Sequence, residues 1–215
     1  MTSDTHLCGL ILAAGESSRM GSDKALLPWP PQGTGLAAAN GPTLLSAGIL
    51  ALQPFTQAVI VVAGRNAELL APSVEANGAI LICNPAPERG QFSSLQTGLH
   101  EVLTLGHSAA MITPVDCPPL RAASLELLRA AFQRALARCL WAVAPENNGK
   151  HGHPLLINHD LIEALLAAPV TGNAREVLHA NAQRIEYIPV PDALAKAGLN
   201  TPQDYAARGA KIPRE

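Results

Sequence analysis

The segment from Leu10 to Pro28 combines small residues, hydroxyl groups and two cationic side chains directly after an apolar run that predicts a buried strand. Small residues in such a turn let consecutive backbone N–H groups approach an anion and form a concavity that binds it. Arg19 adds a planar fork for phosphate oxygens, and Lys24 adds a mobile point charge. The segment therefore predicts a polyphosphate-binding loop, whose candidate nucleotide-binding residues are Leu12, Ala13, Ala14, Gly15, Ser17, Ser18, Arg19 and Lys24.

A lone carboxylate, Asp116, follows the fourth predicted strand in a Pro-rich segment. In an open α/β sheet the carboxyl ends of the strands carry the binding crevice. A carboxylate there suits Mg²⁺, which binds one or two carboxylates together with phosphate oxygens. An isolated Asp at a strand end is more often a helix cap or a turn residue. The phosphate loop upstream favours the metal-binding interpretation.

Two hydroxyl residues, Ser93 and Ser94, stand at a predicted helix start after a Gly-containing loop. Free N–H groups and hydroxyls at such a start can contact a nucleotide. A helix cap without any ligand explains the same residues equally well.

Apolar runs alternate with helical patterns along the chain, which is typical of a right-handed βαβ sheet. A break or kink is predicted at Pro72, inside the second helix. Strands are predicted near residues 7–13, 58–63, 79–83, 109–113, 140–144, 155–158 and 185–190, and helices near 42–52, 66–76, 93–105, 122–138, 159–167 and 174–180.

Composition narrows the class of protein. Of 215 residues, 15% are charged and 3% aromatic, and the net charge of −2 comes without a basic stretch, which disfavours nucleic acid as a partner. No apolar run reaches the length of a membrane span, and the first six residues lack the positive region of a signal peptide. Four scattered cysteines without a C-x-x-C pair indicate reduced thiols, so we expect a cytoplasmic protein.

Residues 12–24, L-A-A-G-E-S-S-R-M-G-S-D-K, resemble the L-A-A-G-x-S-x-R-M-G-x-x-K signature of the molybdenum-cofactor nucleotidyltransferases, within the wider pyrophosphorylase-type nucleotidyltransferases. Residues 84–99 are similar to that family's N-P-x-x-x-x-G-x-x-x-S-L-x-x-G-L stretch, and residues 199–205 to its T-P-x-D segment. Gly152-His153-Pro154 matches the G-H-P of the cytidylyl branch. The chain departs from the family at Asn173 and Gly198, where the family has Asp.

The resemblance implies a three-layer α/β/α fold with a mostly parallel, Rossmann-like sheet of the nucleotide-diphospho-sugar transferase type. It further implies a single nucleotidyltransferase domain over residues 1–215, in which residues 7–138 bind the NTP and residues 139–205 supply acceptor-binding elements.

The resemblance also implies an activity: Mg²⁺-dependent transfer of a nucleoside monophosphate from an NTP to a phosphorylated acceptor such as the molybdopterin cofactor, releasing pyrophosphate. Ala14, where the guanylyl branch has Gly, favours CTP as the donor. A molybdoenzyme or its maturation chaperone is a further expected partner. The implied roles are catalysis by Arg19, Lys24 and Asp116, Mg²⁺ binding by Asp116 and Asn200, and acceptor binding by His153, Gly172, Asn173 and Arg175.

Simpler roles exist for several of these residues. A single His in a loop is more often a solvated surface group, and Asn200 before Pro202 can cap a helix. Two other functions also remain open: a sugar- or polyol-phosphate nucleotidyltransferase, and a non-catalytic nucleotide-binding protein on the same fold. The presence of Arg19, Lys24 and Asp116 together argues against the second of these.

Overall fold

The chain folds around an eight-stranded β-sheet that has helices on both faces. The computed structural model describes residues 6–15, 23–31, 41–192, 194–195 and 198–209. The strands are β1 (Leu7–Leu12), β2 (Ala58–Ala63), β3 (Ile80–Cys83), β4 (Ala109–Pro114), β5 (Ala142–Asn147), β6 (Lys150–His151), β7 (Leu155–Asn158) and β8 (Ile185–Pro189). The helices are α1 (Leu44–Leu52), α2 (Ala67–Ala76), α3 (Gln91–Thr104), α4 (Ala122–Ala137), α5 (His159–Ala167), α6 (Ala174–Ala180) and α7 (Pro202–Gly209).

The strand order in the sheet is β3-β2-β1-β4-β7-β5-β6, and β8 pairs with β5. Strands β1, β2, β3 and β4 run parallel to one another, and β8 runs parallel to β5. Strand β7 is antiparallel to both β4 and β5. The expected mostly parallel sheet is therefore confirmed, with β7 and the short hairpin strand β6 as its antiparallel members.

Side chains alternate across the sheet and separate two apolar layers, which makes the fold three-layered. Leu10 and Ile11 are neighbours on β1, and both are almost fully buried. Ile11 packs into the layer that contains Leu45 of α1 and Phe132 of α4. Leu10 packs into the opposite layer with residues of α3 and α5, such as Leu99. Strand β1 is thus covered on both faces, as its uninterrupted apolar sequence predicts.

Two local predictions are wrong. Helix α3 begins at Gln91, and its N-cap is Gly90, whose φ of 90° suits glycine. Ser93 and Ser94 therefore lie inside the helix and do not cap it. The predicted alternative of a break at Pro72 is also wrong, because α2 is one helix from Ala67 to Ala76. Pro72 has no backbone N–H, so the carbonyl of Glu68, one turn earlier, lacks its usual helical donor. Both residues are exposed, so water can donate to that carbonyl instead.

The sheet topology gathers four segments at one edge. Because β1, β2 and β4 are parallel neighbours, the residues that follow each of them emerge at the same side of the sheet. Strand β7 runs the other way, so its amino end lies beside the carboxyl end of β4, where Leu155 pairs with Ile112. The segment containing His153 therefore reaches the same edge as Asp116.

Helix α3 must approach the sheet closely at Gly98, because a Cβ atom there would lie 2.6 Å from Leu10 Cδ1 and 2.8 Å from Val62 Cγ2. We expect Gly98→Ala to lower the free energy of unfolding by about 1–3 kcal/mol through overpacking. Urea-induced unfolding measures the change. Gly48→Ala on α1 is the matched control, since its Cβ would meet only Ile11 Cδ1 at 3.4 Å and should leave stability unchanged or slightly higher. Equal stability of the two variants would contradict the packing described for α3.

Candidate active site

Two adjoining cavities open at this edge of the sheet, and Asp116 lines both of them. The smaller has a volume of about 580 Å³ and the larger about 880 Å³. Leu12, Gln91 and Pro114 are also shared between the two linings. The shared wall means that a group bound in one cavity can touch a group bound in the other near Asp116.

Lys24, Asp116 and Asn200 converge where the cavities meet. Lys24 Nζ donates to Asp116 Oδ2 at 3.3 Å and to Asn200 Oδ1 at 3.3 Å. Only 14% of the Lys24 side chain and 27% of the Asp116 side chain are exposed, so this charge pair is largely shielded from bulk water. The structure therefore brings together two of the predicted catalytic residues and both predicted metal ligands.

Local hydrogen bonds fix each of these residues in place. Asp23 Oδ1 accepts from Ala25 N at 2.9 Å and so caps the short 3-10 helix Lys24–Leu26. Leu199 N donates to the Asp116 carbonyl at 2.8 Å, which ties the segment before α7 to the residue after β4. At the start of α7, Thr201 and Asp204 exchange hydrogen bonds between side chains and backbone, so Thr201 is the cap. Asn200 is thereby left to face Lys24.

The smaller cavity holds the described part of the phosphate loop. Ala14 and Gly15 line it beside Lys24, whereas Ala13 is buried with its N–H donating to Val62 O at 2.8 Å. Arg65, which follows β2, and Glu88 also line this cavity. Sequence reasoning missed Arg65, although its position after a parallel strand was the available signal. Ser17, Ser18 and Arg19 lie outside the described residues.

The two serines of α3 have different environments. Ser93 Oγ donates to Gly90 O at 2.8 Å and accepts from Asn84 Nδ2 at 2.8 Å, so this hydroxyl holds the loop before α3. Ser94 Oγ accepts from the same amide at 2.9 Å, and Ser94 lines the smaller cavity. Asn84 is buried, and its Oδ1 accepts from Ala86 N, so it organises the whole loop. Only Ser94 of this pair is placed to meet a ligand in the smaller cavity.

The larger cavity contains the four predicted acceptor-binding residues, His153, Gly172, Asn173 and Arg175. Asn173 also caps α6, because its Oδ1 accepts from Glu176 N at 3.0 Å. Arg89 and His179 add donors that the sequence reasoning did not single out. Much of the remaining wall is apolar: Phe92, Leu95, Ile112, Leu155, Leu165 and Leu178. The cavity can therefore hold a largely apolar or planar body together with an anionic group.

Two rings close one side of the larger cavity. His151 of β6 stacks on Tyr187 of β8, with ring centroids 3.6 Å apart and planes 9° from parallel. Cys117, next to Asp116, lines the same cavity. Burial, and secondarily the Asp116 carboxylate, raises the pKa of the Cys117 thiol to about 12, so it is protonated at neutral pH.

His153 is neutral at physiological pH. Burial lowers its pKa below the ordinary value of 6.5, and its hydrogen bond with the Ile112 carbonyl and the nearby Asp116 carboxylate only partly oppose that shift. Its Nδ1 lies 3.4 Å from the Ile112 carbonyl oxygen. When the proton is on Nδ1, the Nε2 lone pair is left as a hydrogen-bond acceptor.

The described residues include no helix that is both long and apolar enough to cross a lipid bilayer.

The lowered pKa of His153 has a consequence for stability. As pH falls below about 6.5, the unfolded chain takes up a proton that the buried ring resists, so folding stability is lost on acidification. His107, whose pKa is also lowered by burial, contributes a slope of the same sign. We expect His153→Asn to flatten, without abolishing, the dependence of urea-unfolding midpoints on pH between about 5.5 and 7.5. Parallel pH curves for wild type and variant would contradict the neutral, buried ring.

Comparison with known proteins agrees with this architecture. Molybdenum cofactor cytidylyltransferase of Escherichia coli K12 is 28% identical over 198 residues, which cover 91% of this chain and 92% of that protein. A probable molybdenum cofactor guanylyltransferase of Mycobacterium avium is 29% identical, over 96% of this chain and 97% of that one. The structure of Rv0371c from Mycobacterium tuberculosis H37Rv superimposes with a TM-score of 0.76 at 20% identity, covering 97% of this chain and 99% of the other, which shows a shared fold. Residues 9–185 match the MobA-like NTP transferase domain. The chain belongs to that family and is a nucleotidyltransferase.

Proposed function

We propose that this nucleotidyltransferase transfers CMP from CTP to a phosphorylated molybdopterin acceptor, with Mg²⁺ as its metal and pyrophosphate as the leaving product. The observation that carries the proposal is the cluster of Lys24, Asp116 and Asn200 where two cavities of different chemistry meet. Transfer between two substrates needs their reacting atoms to approach within about 3–3.5 Å. A shared wall at Asp116 allows that approach.

The smaller cavity suits the nucleotide. Gly15 offers backbone close to an anion, and Lys24 and Arg65 offer positive charge for a triphosphate. Arg19 is proposed to act on the same phosphates, as the signature implies. Ser94 and Glu88, which line the same cavity, provide polar groups for the base or ribose. The smaller cavity thus contains the kinds of groups that an NTP requires.

The larger cavity suits a phosphorylated ring system. Its apolar wall can cover a planar heterocycle, while Arg89 and Arg175 supply guanidinium groups for a phosphate. His153 adds a lone-pair acceptor, which would orient an N–H or O–H of the acceptor molecule. A sugar or polyol phosphate would leave the apolar wall without a partner, so the observations favour the pterin-type acceptor over that alternative.

The chemistry of the donor set fits a hard divalent cation. Asp116 Oδ2 and Asn200 Oδ1 both approach the Lys24 ammonium, so the two oxygens face one common point. Among the described residues, no group of three or more His, Cys, Asp or Glu side chains is placed to hold a metal. Mg²⁺ is typically bound by one or two protein oxygens, and phosphate oxygens of the substrate complete its coordination. A structural neighbour from Mycobacterium tuberculosis, a manganese complex, supports a divalent metal in this fold.

Catalysis by these residues is mostly positioning and charge stabilisation. The attacking oxygen belongs to the acceptor's own phosphate, which is ionised at pH 7, so no protein base has to remove a proton. Lys24 would lie against the α-phosphate and offset the negative charge that grows on the leaving pyrophosphate. A divalent cation held by Asp116 and Asn200 would neutralise further phosphate charge when bound. The largely shielded position of Lys24 strengthens its electrostatic effect.

The proposed choice of CTP depends on Ala14. Overall identity does not decide it, because the cytidylyl and guanylyl relatives are 28% and 29% identical to this chain. Ala14 lines the smaller cavity, and its carbonyl oxygen and methyl group lie close to Gly64. A methyl at this point narrows the space beside the base and favours a single-ring pyrimidine.

The direct test of the proposed function is an assay of pyrophosphate release. The purified protein is incubated with Mg²⁺, each of the four NTPs, and either molybdopterin or a set of sugar and polyol phosphates. We expect release to be greatest with CTP and molybdopterin. Faster release with a sugar or polyol phosphate would overturn the proposed acceptor, and absence of release with every combination would overturn the proposed activity.

Asp116→Ala should abolish pyrophosphate release without unfolding the protein. The variant loses a metal ligand and the partner of Lys24, while the backbone carbonyl that accepts from Leu199 N remains. Steady-state kinetics and a thermal melt measure the two effects. Asp160→Ala is the control, because Asp160 bonds only to Asn158 at the exposed start of α5 among the described residues and should retain activity. Near-wild-type turnover of Asp116→Ala in Mg²⁺ would exclude the assigned role.

Ala14→Gly should relax the preference for CTP. Removing one methyl in a specificity pocket changes discrimination by about 10- to 200-fold, so the variant should bind GTP more tightly while CTP binding changes little. Competitive titration of the two nucleotides against both proteins gives the ratio. Tighter binding of GTP than of CTP by the wild type would reverse the proposed specificity.

A further inference from the structure

Asn66 lies in the turn that connects β2 with α2 and joins three segments beside the smaller cavity. Its Nδ2 group donates to Ala13 O at 3.0 Å and to Asp23 Oδ2 at 2.6 Å. Its Oδ1 accepts from Gly64 N at 3.0 Å. The amide oxygen and the amide nitrogen of Asn66 both have partners, and these partners require the nitrogen to face Ala13 and Asp23.

The two acceptors of Asn66 stand at the two ends of the phosphate-binding segment, residues 13–24. Ala13 directly follows β1, and Asp23 immediately precedes Lys24. The second oxygen of Asp23 accepts from Ala25 N and caps the short helix that carries Lys24. A single amide therefore holds both ends of the segment, and the contact with Asp23 is strengthened by the charge of the carboxylate.

Packing reinforces this contact. Gly64 is buried, and a Cβ atom at that position would lie 2.9 Å from Ala14 O and 3.1 Å from Pro87 Cβ. The turn after β2 is therefore in direct contact with the loop backbone next to the Ala13 carbonyl. Gly64, whose N–H donates to the Asn66 amide, is therefore packed closely against the loop.

Helix capping does not explain Asn66. It occupies the N-cap position of α2, yet its side chain makes no capping hydrogen bond to the described backbone of that helix. The amide is directed away from α2, toward Ala13 and Asp23. The side chain thus serves the loop and not the helix on which it stands.

We propose that Asn66 is a positioning residue of the nucleotidyl transfer: it fixes the ends of the phosphate-binding segment and, through Asp23, holds Lys24 in register with Asp116. The inference rests on the proposed function for its kinetic consequence. A misplacement of about 1 Å caused by a residue remote from the chemistry can cost on the order of 10²-fold in rate.

The test uses Asn66→Asp, which keeps the acceptor for Gly64 N but replaces the donor with a carboxylate facing Asp23. We expect kcat/KM for the NTP to fall on the order of 10²-fold, through a lower kcat together with weaker NTP binding, with KM for the acceptor unchanged. Asn77→Asp is the matched control, because Asn77 lies at the other end of α2 and donates to Ser73 O at 2.7 Å. It should lose stability without this kinetic change.

A rescue variant separates positioning from general destabilisation. Asp23→Asn combined with Asn66→Asp restores the hydrogen bond between positions 23 and 66 with donor and acceptor exchanged. It does not restore the bond to Ala13 O, so the double variant should recover only part of the lost kcat. Equal kcat/KM in Asn66→Asp and Asn77→Asp, or no recovery in the double variant, would overturn the inference.

The binding of the NTP, measured by calorimetry on the same proteins, distinguishes the two proposals. A wild type that binds NTP but releases no pyrophosphate would contradict the proposed function alone. In that case weaker binding by Asn66→Asp than by Asn77→Asp supports the role of Asn66, and equal binding overturns it. A wild type with no affinity for any NTP would contradict both.

Discussion

The site depends on the contact between the Lys24 ammonium and the Asp116 carboxylate, two residues separated by 92 positions in the chain. For a largely shielded ion pair the cost of desolvating both charges offsets much of the attraction between them, so this pair matters for where it places charge rather than for stability. It sits on the wall between two cavities, with Asn200 on its other side. Two nearby hydrogen bonds keep this contact in place: Ala25 N donates to Asp23 beside Lys24, and Leu199 N donates to the Asp116 carbonyl.

Sheet topology explains why the two cavities meet there. Parallel pairing of β1 with β4 puts Ala14 and Gly15 at the same side of the sheet as Asp116. Reversal of β7 then brings His153 to the carboxyl end of β4, into the lining of the larger cavity. A uniformly parallel sheet would carry the start of β7 to the opposite edge. The antiparallel strand therefore brings His153 and Leu155 into the lining of the larger cavity, and the two cavities differ in chemistry because different parts of the chain dominate their linings.

The sequence predicted the positions of most strands and helices and the site residues that directly follow a strand, because both depend on local residue patterns. Apolar runs located β1 and β4, and the parallel-sheet rule then placed Gly15 and Asp116 together. Contacts between residues far apart in the chain could not be predicted in this way. The Ala13 and Asp23 partners of Asn66 lie 53 and 43 positions away, and the spacing of apolar residues does not indicate such contacts. The stack of His151 on Tyr187 requires the strand order of the sheet. Ser93 and Ser94 were misassigned because Gly90, with its positive φ, starts α3 before either hydroxyl.

The central claim is that nucleotide and metal meet at Asp116 from the side of the smaller cavity. A crystal structure of the protein with Mn²⁺ and a non-hydrolysable CTP analogue tests it most directly, because anomalous scattering locates the metal independently of the ligand density. The account predicts Mn²⁺ bound by Asp116 and Asn200, the triphosphate beside Gly15 and Lys24, and the base in the smaller cavity next to Ala14. Metal bound away from Asp116, or a base lying in the larger cavity, would contradict it.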